Sequence, residues 1–225
     1  MDVRDAVAEL RALANPRNVE GMARYGISST NTLGVSIPRI RALAKRAGRD
    51  HALAQQLWDT GIHEARIMAA MVDDPKLVTK RQMDRWAADF DSWDVVDGCC
   101  GVLFDRTPHA YEKALHWSAR RAEYVKRAGY VLMAALAVHD KRAPDETFLA
   151  LLPAIVRGSD DDRNFVKKAV NWALRQIGKR NRRLNAAAIE TAEQLRATGT
   201  RSGRWIAADA LRELRSDSVQ ARLRS

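Results

Sequence analysis

Trp93 and Asp97 stand four residues apart in Phe90-Asp91-Ser92-Trp93-Asp94-Val95-Val96-Asp97, which puts an aromatic ring and a carboxylate on one helix face. A ring face and a negative charge together attract a cationic ligand. Val95, Cys99, Val102 and Leu103 project to the other side as a core stripe, but Phe104 projects near Trp93, so this face also reads as a second packing surface. In the stretch 164–179, Val166, Ala169, Val170, Ala173 and Ile177 form a core stripe, and Trp172 falls off it near Lys168, Arg175 and Lys179. A tryptophan among three cations suits a nucleic-acid surface. It equally suits a ring that covers lysine stems or packs on a neighbouring helix. Arg127 lies in the stretch 124–138, apolar almost all round, and an enclosed guanidinium requires an anion. The candidates are a carboxylate such as Asp97, a ligand phosphate, or the partner in a structural salt bridge.

Other chemistry-bearing patterns fail on inspection. His63-Glu64-Ala65-Arg66 lacks the second histidine of a zinc-protease helix, so Glu64 and Arg66 read as solvated helix charges. The glycines in 199–204 follow no strand, which makes a poor phosphate loop. Cys99 and Cys100 are the only cysteines, and as neighbours they suit neither a disulfide framework nor a zinc site. No metal or cofactor is expected, and a reducing cytoplasm fits this usage.

These residues need helices to position them. Apolar residues recur at three- and four-residue spacing nearly everywhere, and no strand-like alternation bounded by turns appears. Breaks fall at Asn15-Pro16, Ser36-Ile37-Pro38, Asp73-Asp74-Pro75, Thr107-Pro108, Arg142-Ala143-Pro144, 158–162 and 199–203. Thr107 reads as the cap of the next helix, with Pro108 in its first turn. The reading is an all-α chain of about a dozen helices in successive antiparallel pairs, stacked as a solenoid. A compact bundle is the alternative, because the repeat rests on rhythm and not on a repeated motif.

The chain of 225 residues carries 38 Lys and Arg against 28 Asp and Glu, a formal charge of +10 that favours a polyanionic partner. Ribosomal, membrane-surface and heparin-binding proteins share that balance, so charge alone does not decide. The N-terminal stretch is amphipathic and includes acids, unlike a signal peptide, and no run approaches the length of apolar residues that spans a membrane.

Four ordered segments together resemble the AlkD family of bacterial DNA alkylation repair glycosylases. They are Tyr25 followed by Leu33-Gly34-Val35, then Ser92-Trp93-Asp94-Val95-Val96-Asp97, then Lys126-Arg127-Ala128, and Lys167-Lys168-Ala169-Val170-Asn171-Trp172-Ala173-Leu174-Arg175. The resemblance runs over 21–179 and leaves 201–214 unmatched residue by residue. It implies a single domain of HEAT-like helical repeats over 1–225, curved so that Trp93, Asp97, Arg127 and Trp172 converge on its concave side. The implied activity is excision of cationic N3- or N7-alkylated purines from double-stranded DNA, without enclosing the base in a pocket. By the same resemblance Asp97, Trp93 and Trp172 act at the lesion, and Tyr25, which matches the family's tyrosine near the N-terminus, binds DNA. Arg127, or its neighbour Lys126, contacts the DNA backbone, and Lys168, Arg175 and Lys179 hold phosphates. The expected partner is alkylated duplex DNA, met by a monomer in the cytoplasm. The alternative is a HEAT-like module that binds DNA or protein without catalysis.

Overall fold

The computed structural model describes residues 1–223, and among them no strand occurs. The chain divides into two compact units, Met1–His109 and the residues from Ala110 onward. The first holds α1 (Val3–Ala12), α2 (Pro16–Ala23), α3 (Ile37–Ala47), α4 (His51–Asp59), α5 (His63–Val72), α6 (Lys80–Ala88), α7 (Trp93–Val102) and a 3-10 turn, Phe104–Arg106. The second holds α8 (Ala110–Ser118), α9 (Glu123–His139), α10 (Asp145–Leu149), α11 (Leu152–Gly158), α12 (Asn164–Gly178), α13 (Arg182–Thr198), α14 (Arg201–Leu214) and α15 (Asp217–Gln220).

Helix starts follow from short polar side chains that accept from otherwise orphaned amides. Asp2 forms a capping box with Asp5, Asn15 accepts from Arg17 N ahead of α2, and Asp50, Thr79, Asn181 and Thr200 cap α4, α6, α13 and α14. Each such cap is worth about 1 kcal/mol. Thr107 departs from expectation. Its hydroxyl turns back to donate to the Phe104 carbonyl at 2.8 Å, because the chain leaves α7 through the 3-10 turn and α8 starts only at Ala110.

In the first unit, Trp58 and Trp86 stack with centroids 4.1 Å apart and planes 3° from parallel, and Phe90 meets Trp58 edge-on. Phe104 belongs to this cluster, 6.0 Å from Trp86. The 3-10 turn breaks the helical projection that set Phe104 beside Trp93. Arg66 is no solvated charge either: its guanidinium lies 5.2 Å from the Trp58 ring and donates to the Asp89 carbonyl at 3.0 Å. In the second unit α9 is enclosed, as its composition predicts, by α8 and α12. Gly129 allows that approach, since a Cβ there would fall 2.3 Å from the Ser118 amide nitrogen.

Side-chain bonds reveal the repeat that sequence identity hides. In the first unit Trp58 to Asp89, His63 to Asp94 and Glu64 to Leu33 each bridge 31 residues. In the second unit Arg127 to Phe165, Asn171 to Asp209 and Arg175 to Glu213 each bridge 38. Recurring steps of this kind, beside neighbouring ones such as 34 residues from Lys179 to Glu213, are what stacked helices produce.

Candidate active site

Within the first unit, α2, the 34–36 loop and the N-terminal ends of α3, α5 and α7 wall a cleft of about 710 Å³. Met22, Ile27, Val35, Ile37, Ile67 and Trp93 make it largely apolar, and Arg17, His63, Glu64, Asp94 and Asp97 place charge on its walls. Tyr25, Trp93 and Asp97, which the sequence singled out, all line it. The helix α7 sets the last two one turn apart. Trp93 is the first residue of α7, and its Nε1 donates to the Tyr25 carbonyl at 3.0 Å. That bond uses the Tyr25 main chain and leaves the residue 75% exposed.

Glu64 corrects the sequence reading most sharply. It is fully buried, and its carboxylate accepts from the amides of Leu33, Gly34 and Val35 at 2.9, 2.6 and 3.2 Å. The loop is fastened on its other side as well, by Asn15 N to Leu33 O at 2.7 Å and Asn18 Nδ2 to Gly34 O at 2.8 Å. Gly34 adopts φ +76°, and a Cβ there would fall 2.2 Å from the Asn15 carbonyl oxygen. The Leu33-Gly34-Val35 segment is thus a ring of donors wrapped on a buried carboxylate, and it carries α2 and Tyr25 against the cleft.

His63 is the functional candidate that sequence reasoning missed. It is 3% exposed, and Nε2 meets Asp94 Oδ2 at 2.8 Å, while Ser92 Oγ donates to Asp94 Oδ1 at 2.5 Å. Burial pulls the His63 pKa down, but the hydrogen bond and charge of Asp94, with Glu64 and Asp91 behind, outweigh it and leave the imidazole raised above 6.5. Burial pushes Asp94 up, and the His63 and Ser92 bonds overcome that, holding it below its usual range. Only the 31-residue step could have signalled this pair.

In the second unit Lys168, Trp172 and Arg175 share one face of α12, as the helical projection predicts, opposite the buried Val166, Ala169, Val170, Ala173 and Ile177, and Lys179 caps its C-terminal end. Lys168 is exposed. Arg175 pairs with Glu213 of α14 and approaches Asp209 at 3.7 Å, and Lys179 Nζ lies 2.7 Å from Glu213 Oε1. With the Gln176 amide oxygen turned toward them, it accepts from Trp172 Nε1 at 3.1 Å and Lys179 Nζ at 3.2 Å. Arg127 is 6% exposed, and one of its bonds is donated to the Phe165 carbonyl at 2.7 Å. Its neighbour Lys126 pairs with Asp161 at 2.9 Å, and Asp161 also holds Arg163. Among the described residues no group of three His, Cys, Asp or Glu side chains is placed to hold a metal ion.

The stacked helices with their recurring steps define a HEAT-like repeat fold. A solved structure described as "a new family of proteins related to the HEAT-like repeat DNA glycosylases with affinity for branched DNA structures" superposes with a TM-score of 0.76 at 22% identity, covering 86% of this chain and 83% of that one. An engineered protein (TM-score 0.37, 15% identity, 78% and 90% of the two chains) and a designed armadillo repeat protein (0.36, 16%, 78% and 91%) are far more distant. No curated protein matches the chain significantly. Residues 6–217 match the family of DNA alkylation repair enzymes, and the chain belongs to that family.

Proposed function

We propose that this protein is a DNA glycosylase that excises cationic N3- or N7-alkylated purines from duplex DNA. The observation that carries the reading is the cleft that holds Tyr25, Trp93 and Asp97 together, with an aromatic ring and a carboxylate one helical turn apart. Alkylation makes the base a cation and a ready leaving group. The C1′–N bond breaks with its electron pair going to the base, which departs neutral and needs no proton from the protein. Positive charge then develops on the deoxyribose, and the Asp97 carboxylate stabilises it as carboxylates do in glycoside hydrolysis. Water adds at C1′ and loses its proton to solvent. Trp93 and Trp172 offer ring faces to the sugar and to the cationic base, and the lesion is met without a closed pocket.

Arg127 and Lys168 contact phosphates in this reading. Arg175 and Lys179 join them by exchanging the Glu213 carboxylate for phosphate oxygens. Single-turnover release of N7-methylguanine or N3-methyladenine from a duplex tests the proposal, with Asp97→Asn as the control for chemistry. A second reading, binding of DNA or protein without catalysis, draws support from the structurally similar protein with affinity for branched DNA. Tight binding of branched or linear duplex without any base release would establish it in place of the first.

A further inference from the structure

Of the six tryptophans, Trp58, Trp86 and Trp117 are at most 1% exposed, whereas Trp205 on α14 is 40% exposed. It is not alone on its surface. The Lys167 ammonium lies 5.4 Å from the Trp205 ring centroid, and Lys168, Arg201 and Arg204 are exposed nearby in sequence on the same two helices. The 38-residue step relates Lys167 to Trp205, Asn171 to Asp209 and Arg175 to Glu213, so α12 and α14 run parallel and their early residues share one end of the seam. Charge divides sharply along that seam. Residues 164–174 of α12 and 201–208 of α14 contain two lysines and two arginines and no acid; Asp160, Asp161 and Asp162 lie just ahead of α12, where Asp161 is taken up by Lys126 and Arg163, and Asp209 and Glu213 neutralise the cations further on.

We infer that Lys167 and Trp205 form, with Lys168, a contact surface for the sugar-phosphate backbone of duplex DNA. The lysines pair with phosphates, and the tryptophan packs its apolar ring on the intervening deoxyribose. An exposed tryptophan forgoes burial energy that its three core counterparts gain, and beside acid-free basic stretches it supplies flat apolar area where a charged backbone must be held in place. Proteins with negative surfaces would meet the same charge, but a ring flanked by point charges fits alternating sugar and phosphate. The inference rests on the DNA-binding half of the function proposed above and not on its chemistry.

Fluorescence anisotropy with an undamaged labelled duplex, titrated at several salt concentrations, tests it. Trp205→Ala should weaken binding roughly three- to tenfold, and Trp205→Phe should restore most of the loss. Lys167→Gln should weaken binding and lower the salt slope by about one. Arg183→Gln, which removes an exposed cation paired with Glu146, should leave both unchanged. Unaltered affinity and slope in both Trp205→Ala and Lys167→Gln, with a parent protein that binds strongly, would overturn the inference and leave the glycosylase reading standing. Weakened variants of a parent that releases no base would uphold the inference and remove the glycosylase. A parent that binds no duplex at any salt concentration would remove both.

Discussion

Asp97 and Arg127 serve different parts of the proposed cycle, and single substitutions separate them. Asparagine at position 97 keeps size and some hydrogen bonding but removes the charge that matters as the sugar turns cationic. Asp97→Asn should therefore cut single-turnover release on the order of 10²–10³-fold, with duplex affinity within about twofold of the parent. An undiminished rate would move the role to Asp94 or Asp91. Arg127→Ala should lower duplex affinity, but its near-complete burial and its bond to Phe165 add a second effect, a stability loss of about 2 kcal/mol read by thermal melting. The His63–Asp94 pair predicts a pH dependence whose sign is fixed. The raised His63 pKa contributes stability fully below pH 6.5, lost as pH rises through the folded value, and the depressed Asp94 pKa contributes above 3.8, lost as pH falls. The pair is strongest between those limits. Melting temperatures measured from pH 5 to 9 should fall more steeply for the parent than for His63→Gln, and parallel curves would refute the pairing.

At the scale of elements, what shapes the cleft is the fastening of one loop to one helix. Glu64 gathers three amides from residues 33–35, and the same loop is bonded to the start of α2. Glu64→Gln retains one acceptor oxygen and adds donors that face donors, so it should cost about 1–3 kcal/mol and speed hydrogen exchange at the 33–35 amides. Gly34→Ala should cost at least as much, since its backbone is left-handed and a Cβ meets the Asn15 carbonyl. Both should lower base release through misplacement of Tyr25 and Trp93, even at temperatures where the protein remains folded. Normal exchange rates in Glu64→Gln would show that the loop holds its shape without the carboxylate.

For the molecule as a whole, the net charge of +10 is the dominant long-range property. Backbone binding releases condensed counterions, so log affinity for undamaged duplex should fall linearly with log salt, at a slope of roughly −0.9 for each phosphate engaged. The affinity should vary little with DNA sequence, because phosphate contacts position a protein and do not read bases. A flat salt profile would favour a protein-binding scaffold. Sedimentation of the free protein should give a single species of about the 25.2 kDa chain mass, as expected for a monomer.

Periodicity alone determined the all-helical character and the faces of α7, α9 and α12, because a 3.6-residue repeat fixes which side chains share a side, but it counted about a dozen helices where fifteen form among the described residues and left joints such as 119–122 and 179–181 unmarked. Ordered segments spread along the chain carried the family, which the match over residues 6–217 bears out. The spacing of Trp93 and Asp97 was legible for the same reason, being contained in one helical turn. What local pattern cannot encode is a partner from another layer. Glu64 looked like a surface charge because its three donors lie 29 to 31 residues earlier in a loop, and His63 looked like half a failed motif because Asp94 lies 31 residues on. Arg175 and Lys179 looked like free phosphate ligands because Glu213 reaches them only once α14 stacks beside α12. Helix faces are decided by neighbours three and four residues away, whereas the charges on those faces are paired across steps of 29 to 38 residues, which only the folded chain brings into contact.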